Sequence, residues 1–206
     1  MVDGLDSPSE VCAFVSTATL HEAAGRRGAL PSIIKPIDSK MQVSGPALPV
    51  RCPPGDNLWI HRALVEAQPG DVLVVECGTG GEFGYWGEIM ATAAIARGLG
   101  GLVITGGVRD SLALIELGLP TFAGRICIQG TGKDPKSDGA VGEAVRIGSI
   151  TVRRGDLVVG DADGVLVLSP EDAAWVVPAG RERDAKEAAI LERVRAGEPT
   201  LEVYNL

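Results

Sequence analysis

Pro69-Gly70-Asp71-Val72-Leu73-Val74-Val75, then Gly78-Thr79-Gly80-Gly81-Glu82-Phe83-Gly84, then Gly101-Leu102-Val103-Ile104-Thr105 form the stretch whose reading decides the fold. A Pro-Gly-Asp turn opens into an unbroken apolar run, the pattern of a strand buried on both faces. The glycine loop leads into an apolar segment, residues 86–97, whose length suits a helix of about three turns. Residues 101–105 read as a second buried strand. Strand, loop, helix and strand in this order predict a βαβ unit with two parallel strands.

Working outward, a short helix is expected after Arg109-Asp110, carrying Leu112, Leu114, Ile115 and Leu117 up to Gly118-Leu119-Pro120. Further strands are expected at 122–129, 144–147 and 151–153, and a hairpin at 157–160 and 165–168 around Asp161-Ala162-Asp163-Gly164. Upstream, a helix is expected over residues 8–25, extended pieces over 32–37 and 42–50, and a helix ending near Ala67, capped by Asp56 or Asn57. Gly70-Asp71-Val72-Leu73-Val74 is echoed by Gly155-Asp156-Leu157-Val158-Val159, but two copies do not make a repeat protein. From Glu171 the pattern is helical and dense in alternating charge. Residues 1–170 are therefore expected to form one α/β domain. Residues 171–206 are expected to form a helical tail packing on it or on a neighbouring subunit.

Composition bounds the function. The 206 residues are 45% hydrophobic but only 4% aromatic, so the core must be built of Val, Ile, Leu and Ala. The net charge of −8 argues against a nucleic-acid partner, which would need clustered Lys and Arg. It leaves room for an anionic small molecule held by a local arginine. Cys12, Cys52, Cys77 and Cys127 contain no CxxC pair, and no apolar run approaches the length of a membrane span. Reduced thiols, a cytoplasmic location and no membrane partner are the expectation.

Gly78–Gly84 invites a nucleotide reading, but Phe83 stands where GxGxxG needs its third glycine, and no Lys-Ser or Lys-Thr follows. The loop is either a turn or a seat for a carboxylate at the N-terminus of the next helix. Thr105-Gly106-Gly107-Val108-Arg109-Asp110 ends a buried strand on two opposite charges, at the sheet edge where α/β proteins bind ligands. Asp110 suits a hard cation and Arg109 an oxo-acid. The plain alternative is Asp110 capping the helix from Ser111, with Arg109 in a salt bridge. Glu88, at the first turn of the preceding helix, approaches Arg109 if helix and strand run antiparallel. Asp161-Ala162-Asp163-Gly164 lacks the rest of a calcium loop and reads as a turn. His21 and His61 read as structural or peripheral, and Lys35 as an edge-strand surface residue rather than a Schiff base.

Gly87-Glu88, twenty intervening residues, then Arg109-Asp110 resembles the signature of the 4-hydroxy-4-methyl-2-oxoglutarate and 4-carboxy-4-hydroxy-2-oxoadipate aldolases, which share a family with the regulators of ribonuclease E activity. The similarity extends over Thr19-Leu20-His21-Glu22-Ala23, Pro54-Gly55-Asp56-Asn57, the Pro69 strand, Gly160–Val165 and Arg181–Glu187. The resemblance implies a β/β/α swivelling-domain-like α/β fold, with a central sheet or barrel flanked by helices. It also implies a homotrimer or hexamer with sites between subunits. It makes Asp110 the direct ligand of Mg²⁺ or Mn²⁺, gives Gly87, Glu88, Ile89 and Met90 substrate contacts through the backbone, and sets Arg109 on the oxo-acid end. Glu187 would reach a neighbour's site. The implied reaction is class II aldol cleavage of a branched 4-hydroxy-2-oxo acid with release of pyruvate, and oxaloacetate decarboxylation as a side activity. A water oriented by Glu88 and Arg109 would move the protons. The alternative is a non-catalytic ring that regulates a ribonuclease; retention of Asp110 after Arg109 favours catalysis.

Overall fold

The computed structural model describes residues 15–78 and 81–206. In chain order the elements are α1 (Thr17–Ala23), β1 (Lys35–Pro36), β2 (Val43–Arg51), α2 (Leu58–Glu66), β3 (Val72–Glu76), β4 (Gly84–Trp86) and α3 (Glu88–Ala96). There follow β5 (Gly101–Val108), α4 (Ser111–Leu117), β6 (Thr121–Ile126), β7 (Ala140–Val141), β8 (Val145–Ile147) and β9 (Ile150–Val152). The chain closes with β10 (Leu157–Asp161), β11 (Gly164–Leu168), α5 (Pro170–Arg195) and α6 (Thr200–Val203).

The expected βαβ unit is present, because β3 and β5 pair in parallel from Val72↔Gly101 to Val75↔Ile104. It is the centre of a larger sheet, ordered β1-β6-β5-β3-β2-β10-β11, in which β2, β3, β5 and β6 are parallel. β10 and β11 extend it antiparallel at one edge, and β1 does so at the other. The sheet curls into a nearly closed barrel. The Lys35 ammonium on β1 donates to the Asp163 carbonyl in the β10–β11 turn, linking the two edges.

Side-chain alternation gives the sheet a packed inner face and a packed outer face, the outer one divided between two clusters. Val43, Val72, Val74, Val103, Phe122, Val158, Val165 and Val167 fill the barrel interior. Gly160 leaves room for them; a Cβ there would lie 2.8 Å from Val43 and 2.9 Å from Phe122. The opposite face of β2, β3 and β5, with Leu48, Val50, Leu73, Val75, Leu102 and Ile104, packs under α2, α3 and α4. On β10 and β11 the outward residues Leu157, Val159, Leu166 and Leu168 meet Leu20 of α1 and Val176 and Val177 of α5.

Local differences from the sequence reading have local causes. The helix expected from residue 86 begins at Glu88, because Gly84–Trp86 is drawn into pairing with β5 as β4. The helix expected over residues 8–25 is observed at Thr17–Ala23; residues 8–14 lie outside the described residues. Asp161, in the β10–β11 turn, holds the start of α1, accepting from the Thr17 N–H at 2.8 Å and the Thr17 hydroxyl at 2.6 Å. On α5, Arg183 and Glu187 form an i,i+4 ion pair at 2.7 Å. Among the described residues, no helix is long and apolar enough to cross a membrane.

Candidate active site

β5 delivers Arg109 and Asp110 at its carboxyl end, and α4 begins immediately after. The Arg109 N–H donates to the Trp86 carbonyl at 2.8 Å, so the ends of β4 and β5 are tied together. Asp110 takes up φ 56°, ψ 38°, the left-handed region that few side-chain-bearing residues adopt. Its carbonyl starts α4, accepting from Leu114 N–H at 3.0 Å. Its carboxylate makes no capping bond to that helix. The plain capping role is therefore not what the carboxylate does.

The carboxylate is turned instead toward α3. Oδ2 accepts the Glu88 backbone N–H at 3.1 Å, at a helix N-terminus whose dipole favours negative charge. Gly87 makes this approach possible, since a Cβ there would collide with Oδ2. Oδ2 also lies 3.8 Å from Arg109 Nε, and both side chains are about half exposed. Arg109 forms no other ion pair among the described residues. The predicted convergence of Glu88 with Arg109-Asp110 is thus present through the Glu88 main chain. The Glu88 side chain is exposed and does not line the cleft.

The cleft is about 160 Å³, smaller than the roughly 300–1,000 Å³ of drug-sized sites, and so suited to a small acid. Gly84, Gly87, Ile89, Met90, Arg109 and Asp110 are part of its lining. The N–H of Met90 is occupied by the Gly87 carbonyl at 3.1 Å, and that of Glu88 by Asp110, which leaves the Ile89 N–H without a partner among the described residues. Asn57, His61, Tyr85 and Lys133 complete the lining. The glycine loop is not itself the helix N-terminus, because β4 separates Gly84 from α3.

Tyr85 and Lys133 line the cleft without having been singled out from sequence, while Asn57 was read there as a helix cap and His61 as structural or peripheral. Asn57 and His61 share a face of α2 at i,i+4 spacing, a signal that could have flagged them. Lys133 carries no local signal; it arrives through a loop stitched to the 55–57 turn. Burial, reinforced by the Lys133 charge, holds the His61 pKa below the ordinary histidine value. Burial raises that of Tyr85, whose hydroxyl accepts from Gly55 N–H at 2.8 Å. His21 lies elsewhere, in a hollow of about 230 Å³ between α1 and β11. Glu187 lies on α5, paired with Arg183, and does not line the cleft of its own chain.

Can this donor set hold a divalent cation? Oδ1 of Asp110 has no hydrogen-bond partner among the described residues, and the side chain reaches solvent. One hard oxygen beside water fits a Mg²⁺-like ion that keeps most of its water shell. No group of three or more His, Cys, Asp or Glu side chains among the described residues could cage a metal, so a dedicated all-protein site is not the alternative.

Comparison with known proteins places the cleft in context. The chain is 32% identical over 186 residues to a Halalkalibacterium halodurans protein that bears the provisional name 4-hydroxy-4-methyl-2-oxoglutarate aldolase, covering 88% of each. Among solved structures it is similar to an uncharacterised protein from Pseudomonas syringae pv. tomato, with TM-score 0.82 and 28% identity over 96% of both chains. It is also similar to the RNA-processing inhibitor RraA from Thermus thermophilis, with TM-score 0.67 and 26% identity over 75% of this chain and 92% of that one. The family model described as RraA-like, Aldolase/RraA, matches residues 13–167, and the chain belongs to that family.

Proposed function

We propose that this protein is a divalent-metal-dependent carbon–carbon lyase that cleaves a branched 4-hydroxy-2-oxo acid, such as 4-hydroxy-4-methyl-2-oxoglutarate or 4-carboxy-4-hydroxy-2-oxoadipate, to release pyruvate. The observation that carries it is the Asp110 carboxylate, turned away from its own helix and onto the Gly87–Glu88 amide, with one oxygen free beside Arg109. A residue serving only the helix would cap it.

Asp110 would hold Mg²⁺ or Mn²⁺, and the bound ion would supply Lewis-acid stabilisation of the charge that develops on the departing pyruvyl fragment. Arg109 donates to the carboxylate of the 2-oxo acid end and adds a fixed positive charge where that negative charge grows. The free Ile89 N–H offers the same end a neutral donor. In the reaction the C3–C4 bond breaks, the C4 hydroxyl loses its proton as it becomes a carbonyl, and C3 gains one. A water at the cleft mouth, held by the Arg109 guanidinium, takes the hydroxyl proton. The same charge stabilisation would support decarboxylation of oxaloacetate. The carboxylate of Glu187 does not reach its own chain's cleft, so a role for it requires a neighbouring subunit, consistent with a trimer or hexamer.

A second reading, a non-catalytic binding protein that regulates a ribonuclease, is favoured by the likeness to the Thermus inhibitor. Pyruvate release assayed with Mg²⁺ and with a chelator separates the two. Metal-dependent release supports the lyase; its absence from the 4-hydroxy acids and from oxaloacetate supports the regulator.

A further inference from the structure

We propose that the hydrogen bond between Thr19 and Asp184 is a latch that aims the outer half of α5, which makes both of them positioning residues for Glu187. The proposal deepens the lyase reading, in which Glu187 serves a neighbouring subunit, and rests on it.

α5 is docked over its first half and free over its second. Val176, Val177 and Gly180 are buried against the domain, and beyond Asp184 no residue of the helix is buried. At Gly180 the helix lies hard against α1: a Cβ there would be 2.9 Å from the Leu20 side chain and 3.1 Å from that of Val15. Pro178 stands inside the helix, where it has no N–H to give the Ala174 carbonyl. The backbone is thus weakened within the docked half, and the bearing of the free half needs a restraint further along.

Asp184 supplies that restraint. The Thr19 hydroxyl donates to Asp184 Oδ1 at 2.8 Å, and Thr19 is only 6% exposed. A carboxylate can only accept, so the Thr19 hydroxyl gives its proton there and takes one from the Ser16 hydroxyl at 2.9 Å. Ser16 Oγ in turn accepts the Thr19 N–H at 3.1 Å, as the cap of α1. The bonds therefore run in one direction, from the α1 cap to the tail.

Gly180, Asp184 and Glu187 recur at i, i+4 and i+7, on one face of the helix. Fixing Asp184 fixes the bearing of Glu187 one turn on, where Arg183 holds its carboxylate at 2.7 Å. Without the latch the docked half would stay in place and Glu187 would lose its aim.

The test is a double-mutant cycle on Mg²⁺-dependent pyruvate release from 4-hydroxy-4-methyl-2-oxoglutarate. Thr19→Val removes the hydroxyl at nearly constant shape and is expected to lower kcat, rather than raise KM, by roughly 10–10²-fold, the scale of a misplaced group. Thr19→Ser should restore most of that rate. Glu187→Gln alone should cost about 10²-fold, and adding Thr19→Val to it should change the rate by no more than about twofold. Asp161→Ala, which loosens the first turn of α1 and leaves the latch in place, should keep the wild-type kcat. Additive losses in the double variant, an equal loss in Asp161→Ala, or no loss in Thr19→Val or Glu187→Gln would overturn the latch while leaving the lyase reading intact. Should the wild type release no pyruvate, the lyase reading fails and hydrogen exchange decides the latch. Faster exchange of the 185–195 amides in Thr19→Val, with 171–177 unchanged, supports it; unchanged exchange over both segments overturns it.

Discussion

The Asp110 carboxylate accepts the backbone N–H of Glu88 at 3.1 Å, joining the carboxyl end of β5 to the first turn of α3. The contact requires a left-handed Asp110 and a residue at 87 without a side chain. Both are local costs that the helix from Ser111 does not need. They make sense if the carboxylate is being positioned for something outside the fold.

Gly87→Ala should therefore disable the site without unfolding the protein. The added methyl collides with Asp110 Oδ2 and crowds the Arg109 side chain at 3.2 Å. A loss of about 10²-fold in kcat/KM is expected, on the scale of displacing one oriented catalytic group. Full activity with an unchanged melting temperature would show that the carboxylate's position is incidental.

Arg109→Lys keeps the charge but loses the planar fork. A rate loss of roughly 10²–10³-fold is expected, because a single ammonium cannot reproduce bidentate grip on a carboxylate. Steady-state kinetics should show the loss mainly in kcat. A rise in KM alone would confine Arg109 to binding.

The sequence revealed the strands that are continuous apolar runs after a Gly-Asp turn. The Gly70-Asp71 and Gly155-Asp156 echo is one local device used twice: Asp71 accepts from Gln68 N–H at 2.9 Å and Asp156 from Arg153 N–H at 2.7 Å. β4 was hidden because three residues pair with β5 only through chain distant in sequence, and apolar Trp86 fits a helix equally well. Barrel closure was legible only by resemblance, since β1 is two residues long and has no pattern of its own. Arg109 and Asp110 stood out because opposite charges end a buried strand. Lys133 did not, because loop hydrogen bonds rather than periodicity bring it to the cleft.

His61 makes acid sensitivity a property of the folded state. Its pKa is lowered on folding, first by burial and then by Lys133, so the unfolded chain binds the proton more readily. The contribution to stability is present above the unfolded value, about 6.5, and is lost as pH falls toward and through the lower folded value. His61→Gln should flatten that part of the curve. Thermal melts of both proteins between about pH 5 and 7.5 test this; parallel curves would count against it.

Asp161 tests the fold rather than the site. Its carboxylate takes both the N–H and the hydroxyl of Thr17 at the start of α1. Asp161→Ala should cost about 1–2 kcal/mol, the scale of a lost helix cap, and lower Tm by about 2–8 °C. kcat/KM should be unchanged, since neither residue lines the Arg109 cleft.

The most direct test of the central claim is pyruvate release from 4-hydroxy-4-methyl-2-oxoglutarate by wild type and Asp110→Ala, each with Mg²⁺ and with excess chelator. The account predicts rapid release by the wild type with Mg²⁺, abolished by the chelator and by the substitution, with the Asp110→Ala protein still folded. Release that persists in chelator, or in Asp110→Ala at the wild-type rate, would contradict it.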